Sequence, residues 1–498
     1  MTSATVSPAA ALAVNGVPYE AVIGIECHVE LKTETKMFCG CRNAFGSEPN
    51  VNVCPVCLGM PGALPVPNRL AIEAIVKAGL AFGAAIPAFS KFDRKNYFYP
   101  DMPKNYQISQ FDMPFTLGGA VSFWLDDGSP RTVRLTRIHL EEDTGKSLHA
   151  SAGGRLGGST HSLVDFNRAG VPLMECVSEP EIRSAAEAVG YLEALKRTFV
   201  ALGVSDVKME EGSLRCDANV SVRPAGSQTL GTKTEIKNMN SFRSVFHAID
   251  HEIARQIEVL ASGGRITQET RGWDEAKGTT IVQRSKEEAH DYRYFPDPDL
   301  VPIEFAPSHV ARLHAGLMSL PQARLGLLLD RDQLSVKQAQ QIIDTPALFE
   351  YYEAALAVGA PPQGAVNFLL GELARLANET STPTASSKFS PQALVEVVQL
   401  TAGNTINSKT AKDVIGRVWS EGGSPAEIVA REGLAQVSDP AAVDAFVREV
   451  MEAQAKSIAD FKAGKDNVMK FLVGQVMKAS RGKADPVLAE ERLRALIG

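Results

Sequence analysis

The chain has 498 residues, 44% of them hydrophobic and 22% charged, which is room for about three domains and excludes a single small module. Its 51 Lys+Arg against 58 Asp+Glu give a formal charge of −7, so a bulk basic field for nucleic acid is excluded and any RNA contact has to rest on a local basic surface. Seven cysteines, four of them within residues 39–57, speak against a secreted disulfide framework and for metal binding in a reducing, cytoplasmic setting.

Residues 1–17 lack the basic start and long apolar core of a secretory signal and are expected to form a disordered tail. No apolar run approaches the roughly 20 residues that cross a bilayer, so no membrane partner is expected. From Ile23 to Leu31 apolar residues alternate with Glu26, His28 and Glu30, which on a strand share one face. Such a face is either solvated or a carboxylate–imidazole wall for a divalent metal. Cys39, Cys41, Cys54 and Cys57 follow as C-x-C and C-x-x-C separated by twelve residues, a spacing that suits a closed tetrahedral Zn2+ site. Four thiolates leave no open position, so this metal would pin a loop and take no part in catalysis. Lys91 to Asp101 interleaves Arg94 and Lys95 with Tyr97, Phe98 and Tyr99, and Asp291 to Pro296 repeats that composition. Base stacking on RNA and plain aromatic packing both fit these segments.

Acidic clusters recur at Glu141-Glu142-Asp143, Glu175 and Glu210-Glu211, and polar residues take alternate places at Arg215, Asp217, Asn219 and again at Lys233, Glu235, Lys237. A sheet lined with carboxylates and cations is what nucleotide-dependent phosphoryl transfer asks for, the carboxylates holding Mg2+ and the cations neutralising the transferring phosphate. No Walker-type or kinase-like glycine loop is present, so an ATP site has to be of another design. Cys27, Cys176 and Cys216 fall at apolar positions and read as core. The glycine pairs at 153–154 and 157–158 mark a hairpin tip. Amphipathic helices are predicted from Ser184, with a Ser184/Glu187 capping box and Ala188, Leu192, Leu195 and Phe199 on one face until Gly203, and from Ser241 to Gly263-Gly264. Beyond Pro302 the pattern turns helical, and capping residues at Asn404 to Ser408 mark a boundary. In the last stretch Lys470, Lys478, Arg481 and Lys483 form either a local basic surface for RNA or a solvated helix face.

Taken in order, Gly24 to Leu31, Lys91 to Tyr99, His139-Leu140-Glu141-Glu142-Asp143, Met209 to Asn219, Glu235-Ile236-Lys237-Asn238 and Asp291 to Pro296 resemble the GatB family, the B subunits of bacterial glutamyl/aspartyl-tRNA amidotransferases. The resemblance covers the chain from about Val22 to its end. It implies an α+β fold: a glutamine-synthetase-like cradle at 18–300 carrying the zinc loop 39–57, an all-helical domain at 301–406, and a small helical YqeY-like tail at 407–498. It also implies phosphorylation, with ATP and Mg2+, of the side-chain carboxylate of Glu or Asp misacylated on tRNA, after which ammonia gives Gln-tRNA or Asn-tRNA. That is the work of a carbon–nitrogen ligase.

Position by position, Glu26, His28, Glu141, Glu175 and Glu235 match the family's metal-holding catalytic residues. Lys95, Arg215, Asp217, Asn219 and Lys237 are ATP-, phosphate- or metal-adjacent candidates, and the tail gives Lys470, Lys478, Arg481 and Lys483 a role on tRNA. The four-cysteine zinc looks like a stabilising feature, outside the chemistry. No amidase-type Ser-Ser-Lys stretch is found, so the family's glutaminase (the A subunit) and its small C subunit are the expected partners in a heterotrimer, with neither DNA nor membrane. Two rivals stand against this: a tRNA-independent amide ligase of glutamine-synthetase type, and a non-catalytic zinc-bearing RNA scaffold.

Overall fold

The computed structural model describes residues 13–150, 159–285, 289–317, 319–436, 439–462, 465, 467–480 and 482–497. The glycine pairs near 153 and 157, and Arg481, lie outside the described residues. The chain falls into two compact units, Met1–Gly326 and Leu327–Gly498.

The first unit is built on one large sheet. Its long strands are β1 (Val17–Glu30), β2 (Pro130–Glu142), β3 (Pro172–Ser178), β4 (Leu214–Pro224), β5 (Thr234–Lys237), β6 (Glu269–Asp274) and β7 (Thr279–Ser285), arranged β7-β6-β5-β4-β1-β3-β2. Pairings among these strands are antiparallel except β5 with β6, and helix Phe242–Ala261 supplies the crossover which a parallel pair requires. The alternation read from the sequence sets the two faces. Ile23, Ile25, Cys27 and Val29 of β1, with Cys176 and Cys216, are fully or nearly fully buried in the same cluster as helices Ala185–Ala201 and Phe242–Ala261. Cys176 Sγ lies 3.8 Å from Tyr191 Oη of the first helix. Because the side-chain period of a strand is two, a one-residue slip would drive Glu26, His28 and Glu30 into that apolar layer, so the register is strongly specified.

Both helices begin at the expected serines. Ser184 Oγ accepts from Glu187 N at 3.1 Å and Ser241 Oγ from Ser244 N at 3.0 Å. The reciprocal half of the capping box is not made to Ser184: one Glu187 oxygen accepts from the neighbouring backbone Arg183 N at 2.8 Å and the other from the charged Arg131 Nε at 2.9 Å. Residues 13–17, expected in the disordered tail, form ordered structure. Ala13 and Val14 pair with Pro18 and Val17 about Asn15-Gly16, both at positive φ, 50° and 80°. Asn-Gly between apolar residues is a strong hairpin signal, and the low charge of the opening stretch masked it.

A smaller sheet places Asp93–Asn96 between Tyr106–Ser109 and Phe295–Pro296, with Arg94 opposite Phe295. The two basic-aromatic segments are therefore neighbours in space although some 200 residues apart. Arg94 fastens them, donating from Nε to Asp297 at 2.8 Å and from Nη2 to Asp299 at 2.7 Å.

The second unit is helical. Asn407 caps Ser408–Glu421 by accepting from Lys409 N and Thr410 N, at the turn predicted there. Val443, Val447, Leu472, Val476, Leu493 and Ile497 form its last core. Among the described residues no helix is long and apolar enough to cross a membrane.

Candidate active site

The register across β4, β1, β3 and β2 brings distant polar residues into line. Glu175 of β3 stands opposite His28 on one side and His139 on the other, and Arg215 of β4 stands opposite His28. One step along, Asp217 faces Glu26, and Asn219 faces Glu235 of β5. The alternation that buries the cysteines thus collects these side chains on the opposite face.

At its centre His28 Nε2 lies 3.4 Å and His139 Nε2 3.3 Å from Glu175 Oε2, and Ser109 Oγ donates to Glu141 Oε2 at 3.1 Å. One ligand atom each from His28, Glu141 and Glu175 falls within 4.8 Å of the others. Burial opposes charge on Glu175, yet the His139 and His28 imidazoles hold its carboxyl well below the usual range. Burial likewise disfavours the His28 imidazolium, but its hydrogen bond to Glu175 and the charges of Glu175, Glu141 and Asp217 push its pKa up to about 9. Two carboxylates and an imidazole converging on a half-buried face form a donor set that suits a hard divalent cation, with coordination positions left for phosphate or water. Lys95 borders the cluster, its Nζ 4.8 Å over the Tyr292 ring. Burial opposes its charge, and the Glu141, Tyr294 and Glu175 oxygens override this and hold it protonated.

Two further polar groups flank this centre. On one side Asn219 Nδ2 donates to Glu26 Oε1 at 3.0 Å, Lys237 is ion-paired with Asp217 and lies 3.6 Å from Glu235 Oε1, and Thr270 Oγ1 donates to Glu235 Oε2 at 2.8 Å. A cavity of about 250 Å³ opens beside Glu26 and Asn219, lined also by Gly24, Ser178, Ser221 and Lys233. On the other side Arg215 Nη2 donates to Asp143 Oδ2 at 2.6 Å, with Arg168 Nε 3.5 Å from the same oxygen. Arg215 Nε is buried with no hydrogen-bond partner among the described residues. Burial and the Asp143 charge push the Glu30 carboxyl up to about 7.

The ten candidate residues of the sheet surface thus come together, Glu26, Asp217, Asn219, Glu235 and Lys237 as one group and His28, Glu141, Glu175 and Lys95 as another, with Arg215 tied to Asp143. The sequence assigned no role to His139, Ser109 and Arg168, and placed Asp143 only within an acidic cluster. His139 and Glu141 are two apart on β2, so alternation alone puts them on one face; Ser109 and Arg168 reach the site from loops and short strands whose placement no period announces.

Cys39, Cys41, Cys54 and Cys57 also converge, their sulfurs all within 4.8 Å of one another. Tetrahedral Zn2+ with Zn–S bonds of about 2.3 Å sets sulfurs about 3.8 Å apart, so the four fit that ion. The Cys39 hydrogen bond, against burial and with help from Cys54 N–H and Lys36, holds the Cys57 thiol down at about 4, and the same interaction pushes Cys39 up. In the second unit Lys470 and Lys478 are exposed on Asn467–Ala479, whose opposite side buries Met469, Leu472 and Val476, and Lys483 is half-buried.

A family profile described as GatB/GatE catalytic domain matches residues 21–311, and one described as GatB domain matches residues 350–497. The chain is similar to proteins named as the B subunit of aspartyl/glutamyl-tRNA(Asn/Gln) amidotransferase. That of Moorella thermoacetica is 49% identical over 476 residues, 96% of this chain and 99% of its own. That of Carboxydothermus hydrogenoformans is 48% identical over 96% of this chain and 98% of its own, and that of Acaryochloris marina 46% identical over 95% and 97%.

Proposed function

This chain belongs to the GatB/GatE family, and from that premise we propose that it is the component of a tRNA-dependent amidotransferase that activates the side-chain carboxylate of Glu-tRNA(Gln), Asp-tRNA(Asn) or both. Activation is transfer of the ATP γ-phosphoryl group to that carboxylate; ammonia from a glutaminase partner, with a small third chain completing the assembly, then displaces phosphate and leaves the amide. The observation that carries the reading is the convergence of His28, Glu141 and Glu175 from three adjacent strands, with Lys95 at its edge.

His28, Glu141 and Glu175 would hold Mg2+, which when bound neutralises charge on the transferring phosphoryl group. His139 steers Glu175 from the far side, and Ser109 orients Glu141. Lys95 brings a fixed positive charge toward the substrate carboxylate and the phosphoryl oxygens, where the low-dielectric surroundings strengthen its pull. Glu26 and Glu235, with Asp217, Asn219 and Lys237 beside them, would hold a further Mg2+ and the nucleotide phosphates, and Arg215, ion-paired with Asp143, would contact phosphate. The polar sheet face with the small sheet of Asp93–Asn96 beside it supports the glutamine-synthetase-like cradle. The zinc loop 39–57 stiffens one edge of the unit, and the 407–498 region, through Lys470, Lys478 and Lys483, bears on the body of the tRNA.

The test is phosphate release from ATP by the complex reconstituted with its partner chains, in the presence of Glu-tRNA(Gln), Asp-tRNA(Asn) or free glutamate. Release that depends on misacylated tRNA is the expected result. Turnover with free glutamate, indifferent to tRNA, would move the protein to the class of tRNA-independent amide ligases, and no release with any substrate would leave a scaffold.

A further inference from the structure

The cavity of about 250 Å³ lies beside Glu26 and Asn219, in the polar group on one flank of the His28–Glu141–Glu175 cluster. A series of rings starts at Lys95. Lys95 Nζ is 4.8 Å over Tyr292; Tyr292 meets Tyr294 edge to face at 6.2 Å; Tyr294 stacks on Phe111 with centroids 4.4 Å apart and planes 12° from parallel. The series runs outward from the ammonium bordering Glu141 and Glu175 to Phe111, which is 42% exposed.

Phe111 is held in that half-exposed position by polar anchors. Its N–H donates to Asp93 Oδ2 at 3.0 Å, its carbonyl accepts from Arg137 Nη1 at 3.1 Å, and Lys91 ties Asp93 to Asp112, the latter at 2.6 Å. An aromatic ring pinned at a rim by hydrogen bonds, when Phe115 four residues on is fully buried, is a presented surface. Aromatic rings in series, the outer pair stacked and a cation at the inner end, are what an unpaired nucleobase binds, because every base has a π-face.

Two adenosine-bearing substrates meet at this centre under the proposed function, ATP and the aminoacylated RNA end. The small cavity suits a ligand that ends there. The ring wall is open at Phe111, and so suits a chain that continues into solvent. A terminal nucleotide also lies only one amino acid away from the carboxylate that must reach Lys95 and the metal ligands. We propose that Tyr292, Tyr294 and Phe111 form the stacking wall for the unpaired 3′-terminal nucleotide of the aminoacylated RNA, setting its amino acid toward the His28–Glu141–Glu175 cluster. This assignment rests on the amidotransferase reading above and adds to it the surface that receives the RNA end.

The experiment uses the reconstituted complex with Phe111→Ala and Phe111→Tyr, and aminoacyl-tRNA whose terminal nucleotide either carries its base or is abasic. Phe111→Ala is expected to raise KM for aminoacyl-tRNA about tenfold, the size of one missing base–aromatic stack, with kcat and KM for ATP unchanged; Phe111→Tyr restores the wild-type value. The abasic terminus is expected to raise KM by a similar factor in the wild type and to add nothing in Phe111→Ala, as a coupled pair requires. Equal sensitivity of both enzymes to the missing base, or a raised KM for ATP in place of tRNA, overturns the proposal, the second result assigning the wall to the nucleotide of ATP. Absence of any tRNA dependence in the wild type would instead overturn the amidotransferase reading itself.

Discussion

At Glu175 two imidazoles share one carboxylate, His28 at 3.4 Å and His139 at 3.3 Å. Such a cluster binds protons and divalent cations in competition. His28 keeps its proton to about pH 9 because burial is outweighed by Glu175 and Glu141, and only the neutral ring can ligate. Divalent binding must therefore release a proton below that value. Mn2+ titrations from pH 7 upward to pH 10 are predicted to show affinity rising with pH and levelling above about 9, and His28→Gln should weaken binding and flatten the profile. Glu175→Gln removes the shared anion and is predicted to abolish both cation binding and tRNA-dependent phosphate release while the fold survives, which circular dichroism would check. The sequence made His28 legible as a polar residue on an alternating strand, and Glu141 and Glu175 as members of acidic clusters that the family resemblance places at the metal. It left the partnership of His139 with Glu175 hidden, because that contact depends on which strands are neighbours, and pairing order is set by the whole sheet.

Between elements, the fastening of the small sheet is the sharpest case. Arg94 lies in a segment whose composition suggested phosphate or base contacts, and its guanidinium is instead committed to Asp297 and Asp299 and lies 4.1 Å over the Tyr106 ring. Asp297 is fully buried, so removing its partner leaves an uncompensated charge. Arg94→Ala is predicted to destabilise the protein by about 3 kcal/mol, with Arg94→Lys recovering part of that, measured by denaturant unfolding. The Asp291–Pro296 segment had no period to announce a strand, being two residues of edge pairing. The cysteine loop was readable from spacing alone, since four thiolates in two close pairs constrain geometry whatever the surrounding fold. One zinc per chain is predicted by elemental analysis of the purified protein, falling to none in Cys57→Ser with increased proteolysis within 39–57; an unaltered zinc content in that variant would remove the site.

At the scale of the molecule, a chain of net charge −7 with the tRNA-dependent role proposed above has to confine its attraction for phosphate to local patches. In the helical second unit the exposed Lys470 and Lys478 are proposed as one. Lys470→Glu with Lys478→Glu is predicted to weaken tRNA binding, most at low salt, and to reduce the slope of log affinity against log salt by about one for each phosphate no longer neutralised; the same affinity and slope would mark a plain solvated face. Alternation and capping showed that the chain opens on strands and ends in helices. How the strands order themselves into β7-β6-β5-β4-β1-β3-β2 was out of reach of local pattern, because only long-range pairing energy chooses among orders that all bury the same faces.

Under the proposed function this sheet surface phosphorylates the substrate carboxylate before ammonia arrives. Labelling both oxygens of the side-chain carboxylate of Glu-tRNA or Asp-tRNA with oxygen-18 and analysing the phosphate released by the complete complex tests it directly. Phosphate carrying one labelled oxygen per amide formed is the predicted result, since the carboxylate oxygen that accepts the phosphoryl group leaves with it. Phosphate free of label, at an undiminished yield of amide, would contradict the account.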